Sequence, residues 1–152
     1  MTLHPSSQRL QDRLQELGLD VDVQDLADST RTAAEAASAV GVEVGQIVKS
    51  LVFMDATGPL LCLCAGDRRV DTAKLGAEVR QAASDEVRDA TGFAIGGVPP
   101  VGHDRALRTI VDESLRRYET VWCAGGTPKS VFRVGTDALI AAIPNVEVRA
   151  VS

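Results

Sequence analysis

Apolar residues near the start of the chain recur at the spacing of a helix. Leu10, Leu14 and Leu17 lie at i, i+4 and i+7 within an otherwise polar segment, and Gly18 follows them. Side chains at this spacing share one helix face, and a glycine is a common stop signal. The pattern predicts an amphipathic helix over residues 6–17.

The next helix signal begins at a threonine. Thr32 and Glu35 have the spacing of a capping box, and an alanine-rich segment follows and ends at Gly41. We therefore expect a second helix, whose small side chains allow close packing. A short strand is expected before it, over residues 21–26.

Two apolar and partly β-branched runs in the middle of the chain predict an antiparallel hairpin. They cover residues 47–54 and 60–65, and the segment Asp55-Ala56-Thr57-Gly58 between them is typical of a turn. One charged side chain, Lys49, interrupts the first run.

The rest of the chain mixes short helices and short strands around one loop. This loop, residues 93–103, holds three glycines and two prolines in 11 residues, which indicates a tightly specified backbone. Because no regular β-α-β alternation is present, the sequence predicts a mixed α/β (α+β) fold and excludes a doubly wound sheet. Helices are expected over residues 72–79, 84–91 and 137–143, and strands over residues 108–112, 120–124, 130–134 and 146–150.

Composition and charge narrow the classes of function. The 152 residues carry 16 basic and 21 acidic side chains, a net charge of -5, which argues against a broad basic face that coats nucleic acid. Aromatic residues make up 3% of the chain, too few for a platform on which several bases stack. The length predicts one domain over residues 1–152, and the sequence shows neither a leader pattern nor a long apolar run, so a cytoplasmic protein is expected.

The three cysteines lack the spacing of a metal or redox motif. Cys62 and Cys64 lie two residues apart in an apolar run, and Cys123 lies in another. We interpret them as small buried apolar residues, and we predict neither a metal site nor a cofactor.

Lys49 has two interpretations. A buried ammonium is costly unless it is paired, so a lysine within an apolar strand calls for an explanation. Either the strand lies at an edge and Lys49 points to solvent, opposite Val48 and Ser50, or its ammonium lies in a pocket and meets a phosphate or another polar group.

Two glycine-rich turns could complete such a pocket. They are Gly96-Gly97-Val98-Pro99-Pro100 and Ala124-Gly125-Gly126-Thr127-Pro128. Glycine lets the backbone approach a ligand closely, and preorganised N–H groups can stabilise an oxyanion. The alternative is that each is a plain turn between strands.

Other polar residues give weaker signals. His103 could act as a base or contact a ligand, although a lone histidine is more often a surface or capping residue. Ser29 and Thr30 are first of all candidates for a helix cap. No Ser-His-Asp or Cys-His arrangement can be assembled, so a covalent nucleophile is not expected.

Taken in order, five segments resemble one known family. They are S-T-R-T-A-A-E-A-A at 29–37, Q-I-V-K-S-L-V-F at 46–53, G-D-R-R-V-D at 66–71, G-F-A-I-G-G-V-P-P-V-G-H at 92–103 and A-G-G-T-P at 124–128. Together they resemble the YbaK/EbsC family, which is similar to the editing domain of bacterial prolyl-tRNA synthetases. The resemblance extends from about residue 25 to the C-terminus.

The resemblance implies a freestanding editing domain that hydrolyses the ester of mischarged tRNA in trans, with tRNA-Pro as the expected carrier. It implies a strongly curved mixed β-sheet surrounded by helices, and the acceptor end of tRNA as partner, with prolyl-tRNA synthetase as a further candidate. The essential lysine of the family falls on Lys49, and its first glycine loop falls on Gly96 and Gly97. The expected substrate contacts are Thr30, Ser50, Pro99, His103, Gly125 and Gly126.

Two other functions remain open on the sequence. The same pocket could belong to a binding module that senses aminoacyl-tRNA or an amino-acid-like ligand without turnover. The chain could also act through its acidic face as an interaction partner, although Lys49 and both glycine turns argue against this.

The negative charge is unevenly distributed. Residues 1–44 hold eight acidic and three basic side chains, whereas residues 45–152 hold 13 of each. The second part could form a local basic rim that grips only the tip of an RNA. The candidates for this rim are Arg68, Arg69, Lys74, Arg105, Arg108, Arg116 and Arg117.

Overall fold

The computed structural model describes residues 3–28, 30 and 32–152. Over these residues the helices are α1 (Pro5–Glu16), α2 (Ala33–Val40), α3 (Thr72–Leu75), α4 (Ser84–Thr91) and α5 (Thr136–Ala142). The strands are β1 (Gln24–Asp25), β2 (Val48–Asp55), β3 (Gly58–Ala65), β4 (Arg80–Gln81), β5 (Arg108–Asp112), β6 (Thr120–Ala124), β7 (Ser130–Gly135) and β8 (Val146–Arg149). Short 3-10 helices cover Val44–Gln46 and Glu113–Arg117.

The larger sheet is mixed and contains the predicted hairpin. Its strand order is β4-β2-β3-β5-β8, with β2 antiparallel to both β3 and β4, and with β5 parallel to both β3 and β8. The hairpin register sets Lys49 opposite Cys64 and Asp55 opposite Gly58. The mixed α/β fold predicted from the sequence is confirmed.

The remaining strands form a second sheet, so the single curved sheet that the resemblance implied is divided in two. Its order is β1-β7-β6, with antiparallel pairing throughout. Ile47, just before β2, makes an isolated parallel bridge with Trp122 of β6. The two sheets therefore meet near the first residues of β2.

The main core lies between the sheets and the longer helices. Leu10 and Leu14 of α1 are fully buried against Leu61, Leu63 and other apolar residues. Leu10 and Leu14 of the predicted leucine face thus enter the core, where each large aliphatic side chain contributes about 1.5–3 kcal/mol. Leu17, the third member of that face, lies just after α1 and is 41% exposed. A second cluster, which includes Phe53 and Cys62, covers the other face of the larger sheet.

Two predicted elements are shorter in the structure, for identifiable reasons. The strand expected over residues 21–26 is reduced to β1, because the side chain of Gln11 donates to the Val21 carbonyl and accepts from the Val23 N–H. These backbone groups thus pair with a side chain and not with a strand. The helix expected over residues 72–79 stops at Gly76, whose φ of 146° leaves the helical region.

Over the described residues, no helix is both long enough and apolar enough to cross a membrane.

Candidate active site

A cavity of about 400 Å³ opens where the two sheets part. Its walls come from Val48 to Leu51 of β2, from Trp122 to Ala124 of β6, from the inner face of α2, and from the turn that contains Gly96. The wall from α2 includes Ala33 and Ala36. Their short side chains leave space between the helix and the sheets.

Lys49 lies on the wall of this cavity at an edge of its sheet. β4 pairs with β2 only at Phe53 and Met54, and β6 bridges only Ile47, so Lys49 itself has no strand partner on that side among the described residues. The ammonium of Lys49 donates to the carbonyl oxygen of Arg68, in the loop after β3. The two interpretations of Lys49 from the sequence are therefore combined, because the residue is at a strand edge and also lines a cavity.

The charge of Lys49 is not neutralised by a carboxylate of residues 3–28, 30 or 32–152. An ammonium has three N–H donors, and the Arg68 carbonyl takes one of them. Two donors and a full positive charge thus remain for a ligand.

Ser50 presents a second polar atom without a protein partner. Its Oγ is buried and makes no hydrogen bond within the described part of the chain. Ser50 lines the cavity and also a smaller recess of about 100 Å³ that shares Leu51, Ile95 and Val98 with it. A buried hydroxyl without a partner costs about 1–3 kcal/mol, a cost that a ligand hydrogen bond would remove.

Thr30 lines the same cavity, but Thr32 caps α2. The Thr32 side chain accepts the N–H of Glu35 at 3.1 Å, which confirms the predicted cap. The N–H of Thr30 donates to the Pro128 carbonyl at 3.1 Å, which ties the segment before α2 to the second glycine turn. Ser29, the other cap candidate, lies outside the described residues.

The two glycine turns pack against each other. Gly96 has a φ of 88°, and the N–H of Gly97 donates to the Ala94 carbonyl at 2.9 Å, which closes a turn over Ala94–Gly97. The N–H of Gly126 donates to the Gly97 carbonyl at 3.0 Å. A Cβ on Gly97 would lie 2.8 Å from the Cα of Thr127, so glycine is required for this approach.

These contacts correct the prediction that the backbone N–H groups of both glycine turns could stabilise an oxyanion. Gly97 and Gly126 donate as above, and the N–H of Gly125 donates to the Ser130 carbonyl at 2.7 Å. These three groups are therefore not free to bind an oxyanion. Gly96 lines the cavity, and its N–H has no acceptor among the described residues, so one predicted donor is left.

A polar network that the sequence analysis missed holds the second turn. The Ser130 hydroxyl, which is 1% exposed at the cavity wall, donates to Asp25 Oδ1 at 2.6 Å. It accepts from Ser7 Oγ at 2.9 Å and lies 2.5 Å from Thr127 Oγ1. No motif marks these residues, because β1, α1 and the turn are brought together only by the fold.

His103 and Pro99 do not reach this cavity. The Nε2 of His103 donates to the Pro99 carbonyl at 2.6 Å, and His103 lines a separate cavity with Leu17 and Ile143. Burial lowers the pKa of His103, although its bond to Pro99 and the charge of Asp104 oppose the shift. The structure thus does not bring the predicted histidine to Lys49, and the bond to Pro99 gives it a local structural role.

The three thiols are buried and protonated, unlike an activated nucleophile. All three cysteines are buried and free. Burial raises the pKa of Cys62 to about 12 and of Cys64 to about 11, and burial also raises that of Cys123. Their interpretation as small buried residues is confirmed.

Part of the predicted basic rim is engaged elsewhere. Arg117 pairs with Asp67 at 2.7 Å, and Lys74 donates to the carbonyl of Ser152. Arg108 pairs with Asp55, which is six residues beyond Lys49 and hence about 20 Å away along β2. Arg108 therefore does not border the cavity.

Comparison with known proteins identifies relatives over most of the chain. The model of the aminoacyl-tRNA editing domain family matches residues 27–142. The "Uncharacterized protein YwhH" of Bacillus subtilis is 34% identical over 118 residues, covering 74% of this chain and 75% of that protein. The "Putative Cys-tRNA(Pro)/Cys-tRNA(Cys) deacylase EbsC" of Enterococcus faecalis is 24% identical, covering 72% of this chain and 70% of that protein.

A synthetase and a solved structure extend this comparison. Proline--tRNA ligase of Lactobacillus gasseri is 36% identical over 80 residues, which are 49% of this chain and 14% of the ligase. The structure described as "a putative trans-editing enzyme for prolyl tRNA synthetase" is 48% identical and superimposes with a TM-score of 0.92, covering 99% of both chains.

Proposed function

This chain belongs to the aminoacyl-tRNA editing domain family, and we propose that it hydrolyses in trans the ester between a wrongly attached amino acid and tRNA-Pro. The names of two relatives support the choice of tRNA, since "Putative Cys-tRNA(Pro)/Cys-tRNA(Cys) deacylase EbsC" includes tRNA-Pro and the solved structure is described as "a putative trans-editing enzyme for prolyl tRNA synthetase". Residues 1–152 would act as one editing domain in the cytoplasm, where aminoacyl-tRNA is used.

The observation that carries the proposal is a set of polar groups around one cavity that the described residues leave wholly or partly without partners. The Lys49 ammonium, the Ser50 hydroxyl and the Gly96 N–H all belong to residues that line it. Its volume of about 400 Å³ falls within the range of about 300–1,000 Å³ that small ligands occupy. The aminoacylated terminal adenosine is a ligand of this kind.

The reaction needs positioning more than a strong nucleophile. An aminoacyl ester is already activated, so orientation and stabilisation of developing charge supply much of the rate. Lys49 holds the terminal nucleotide through its phosphate or a hydroxyl, and the N–H of Gly96 orients the ester carbonyl. This arrangement uses neither the protonated thiols nor the distant His103.

Water completes the reaction. The oxygen of a water molecule, assisted by the vicinal ribose hydroxyl, attacks the ester carbonyl carbon and loses a proton. The bond from the carbonyl carbon to the ribose oxygen breaks, and this oxygen takes up a proton. The products are the free amino acid and tRNA with an intact 3′ end.

Selection among amino acids comes from the size of the cavity. One methylene in an apolar site is worth about 1–3 kcal/mol, so discrimination between similar side chains is partial. The test is a panel of purified tRNA-Pro esters carrying Ala, Cys, Ser, Thr or Pro, incubated with the protein and with Lys49→Ala. We expect release of at least one non-cognate ester, and loss of that release in the variant. No release from any ester would overturn the proposal and favour a binding module.

A further inference from the structure

Another cavity, distinct from the one that His103 lines, lies next to the cavity that Lys49 lines. We call the Lys49 cavity the first cavity and its neighbour the second cavity. The volume of the second cavity is about 630 Å³, and its wall includes His4, Asp25, Arg88 and Lys129. These residues come from the start of α1, from β1, from α4 and from the second glycine turn. The fold therefore gathers three nitrogen-bearing side chains from distant parts of an acidic chain.

The two permanent cations in this cavity are unneutralised. Neither Arg88 nor Lys129 has a carboxylate within 4.0 Å in the part of the chain that the structure describes, and both are exposed. They thus differ from Arg117 and Arg108, which form ion pairs. An exposed arginine without a partner keeps its planar set of donors free for an anion.

The other two polar side chains are already oriented. The Nδ1 of His4 accepts the N–H of Ser6 at 3.0 Å, so Nε2 carries the proton of the neutral ring and is a donor. The carboxylate of Asp25 accepts the hydroxyl of Ser130 at 2.6 Å, which satisfies one of its oxygens within the protein. The wall therefore has a net charge of +1 with His4 neutral.

Only a narrow ridge separates the two cavities. Pro128 lines both of them, and Ala94 on one side is followed in sequence by Ile95 and Gly96 on the other. A Cβ on Gly96 would lie 3.7 Å from the Cγ of Pro128, so the two turns touch along the ridge. A single-stranded nucleic acid that runs from the first cavity across this ridge would enter the second cavity.

We propose that the second cavity binds the backbone phosphate that precedes the terminal adenosine, through Arg88 and Lys129, with His4 as a further donor; of the two groups open to Lys49, this leaves it a hydroxyl of that nucleotide. This inference rests on the proposed function, because it takes the first cavity to hold the aminoacylated adenosine. A phosphate is the favoured ligand since Arg and Lys are the residues that neutralise nucleic-acid backbones, and no Phe, Tyr or Trp among the described residues lines this cavity to stack a base.

The test compares a substrate that contains this phosphate with one that contains no phosphate. One is mischarged tRNA-Pro, and the other is the same amino acid esterified to adenosine, which has no phosphate. The proteins are wild type, Arg88→Ala, Lys129→Ala and the double variant, with Arg133→Ala as control. Arg133 is also exposed, lines neither cavity and is not a candidate for the basic rim, so its removal changes the net charge as much as each single variant does.

We expect the double variant to lose about 10-fold or more in kcat/KM on tRNA, in line with two lost charge-assisted contacts. On aminoacyl-adenosine its kcat/KM should match that of wild type, and Arg133→Ala should match wild type on both substrates. The salt dependence of binding to deacylated tRNA-Pro should weaken by about 0.7 in log–log slope for each lost contact.

Two results would overturn the inference while leaving the proposed function intact. One is unchanged kcat/KM and salt slope on tRNA in the double variant, and the other is an equal loss on both substrates. The salt dependence of binding to deacylated tRNA-Pro needs no turnover, so it tests the inference even if the wild-type protein releases no amino acid. Absence of amino-acid release by the wild-type protein would overturn only the proposed function.

Discussion

The N–H of Gly126 donates to the carbonyl of Gly97 at 3.0 Å, so the two glycine turns of this protein are hydrogen-bonded to each other. One turn follows α4 and the other joins β6 to β7. Their contact forms the ridge between the two cavities. The glycines of these turns therefore serve mainly to bring two backbones together, and of the four only Gly96 has an N–H without an acceptor among the described residues.

This contact predicts that Gly97→Ala damages both stability and activity. The new Cβ would lie 2.8 Å from Thr127 Cα, so the turns must separate. We expect a loss of about 1–3 kcal/mol in the free energy of unfolding and a lower kcat/KM, measured by denaturant titration and deacylation assays. Gly135→Ala is the control, because its Cβ would be 3.8 Å from its nearest neighbour, Ala138. Equal effects in both variants would contradict this account.

A second prediction concerns Lys49. Removing its ammonium in Lys49→Ala should lower kcat/KM by about 10- to 100-fold, because a hydrogen bond from a charged group is worth about 1.5–3 kcal/mol. Stability should change little, since within the described part of the chain the amine bonds only to the Arg68 carbonyl, and Lys49 is half-buried.

Lys74→Ala provides the matched control for Lys49. The Lys74 amine also donates to a backbone carbonyl, that of Ser152, but Lys74 does not line the cavity. Its deacylation rate should equal that of wild type. Full activity of Lys49→Ala would remove Lys49 from the mechanism.

Much of the fold follows from local signals in the sequence. The capping threonine and the stop glycine of α2, the hairpin turn and the bounds of α4 were predicted because each depends on a few neighbouring residues. The division into two sheets was not predicted. It depends on Ile47 meeting Trp122, a contact across 75 residues that no local pattern encodes.

The candidate site shows the same limit. Lys49 was singled out because a charge within an apolar strand is visible in the sequence. In the sequence Ser7 and Asp25 are ordinary polar residues. Only in the folded chain do both form hydrogen bonds with Ser130, which lies between them. His103 was misplaced for the same reason, since it follows the first glycine turn in sequence but faces another cavity.

The network around Ser130 gives a third prediction. Ser7 is fully buried, and Ser7→Ala should remove the hydroxyl that donates to Ser130. We expect the free energy of unfolding to fall by about 1–2 kcal/mol. The second turn should loosen, so kcat/KM should fall as well. Ser38→Ala, at an exposed position of α2, is the control and should be neutral in both assays. A neutral Ser7→Ala would show that the network does not hold the turn.

The last prediction concerns pH and His103. Burial keeps the pKa of this imidazole below its ordinary value of 6.5, so the unfolded chain binds a proton more readily than the folded one. The contribution of His103 to the free energy of unfolding is therefore fully present above pH 6.5. It is lost as the pH falls from 6.5 through the lower pKa that His103 has in the folded protein. Replacing the imidazole in His103→Gln should flatten the pH dependence of the unfolding free energy in this range.

Activity separates this structural role from a catalytic one. Because His103 bonds to Pro99 and lines a cavity without Lys49, kcat/KM of His103→Gln at pH 7.5 should stay within about 2-fold of wild type wherever the variant is folded. A general base would behave differently, since its loss typically costs about 100-fold or more and removes one limb of the pH–rate profile. An unchanged stability profile combined with a large loss of kcat would therefore return His103 to the active site.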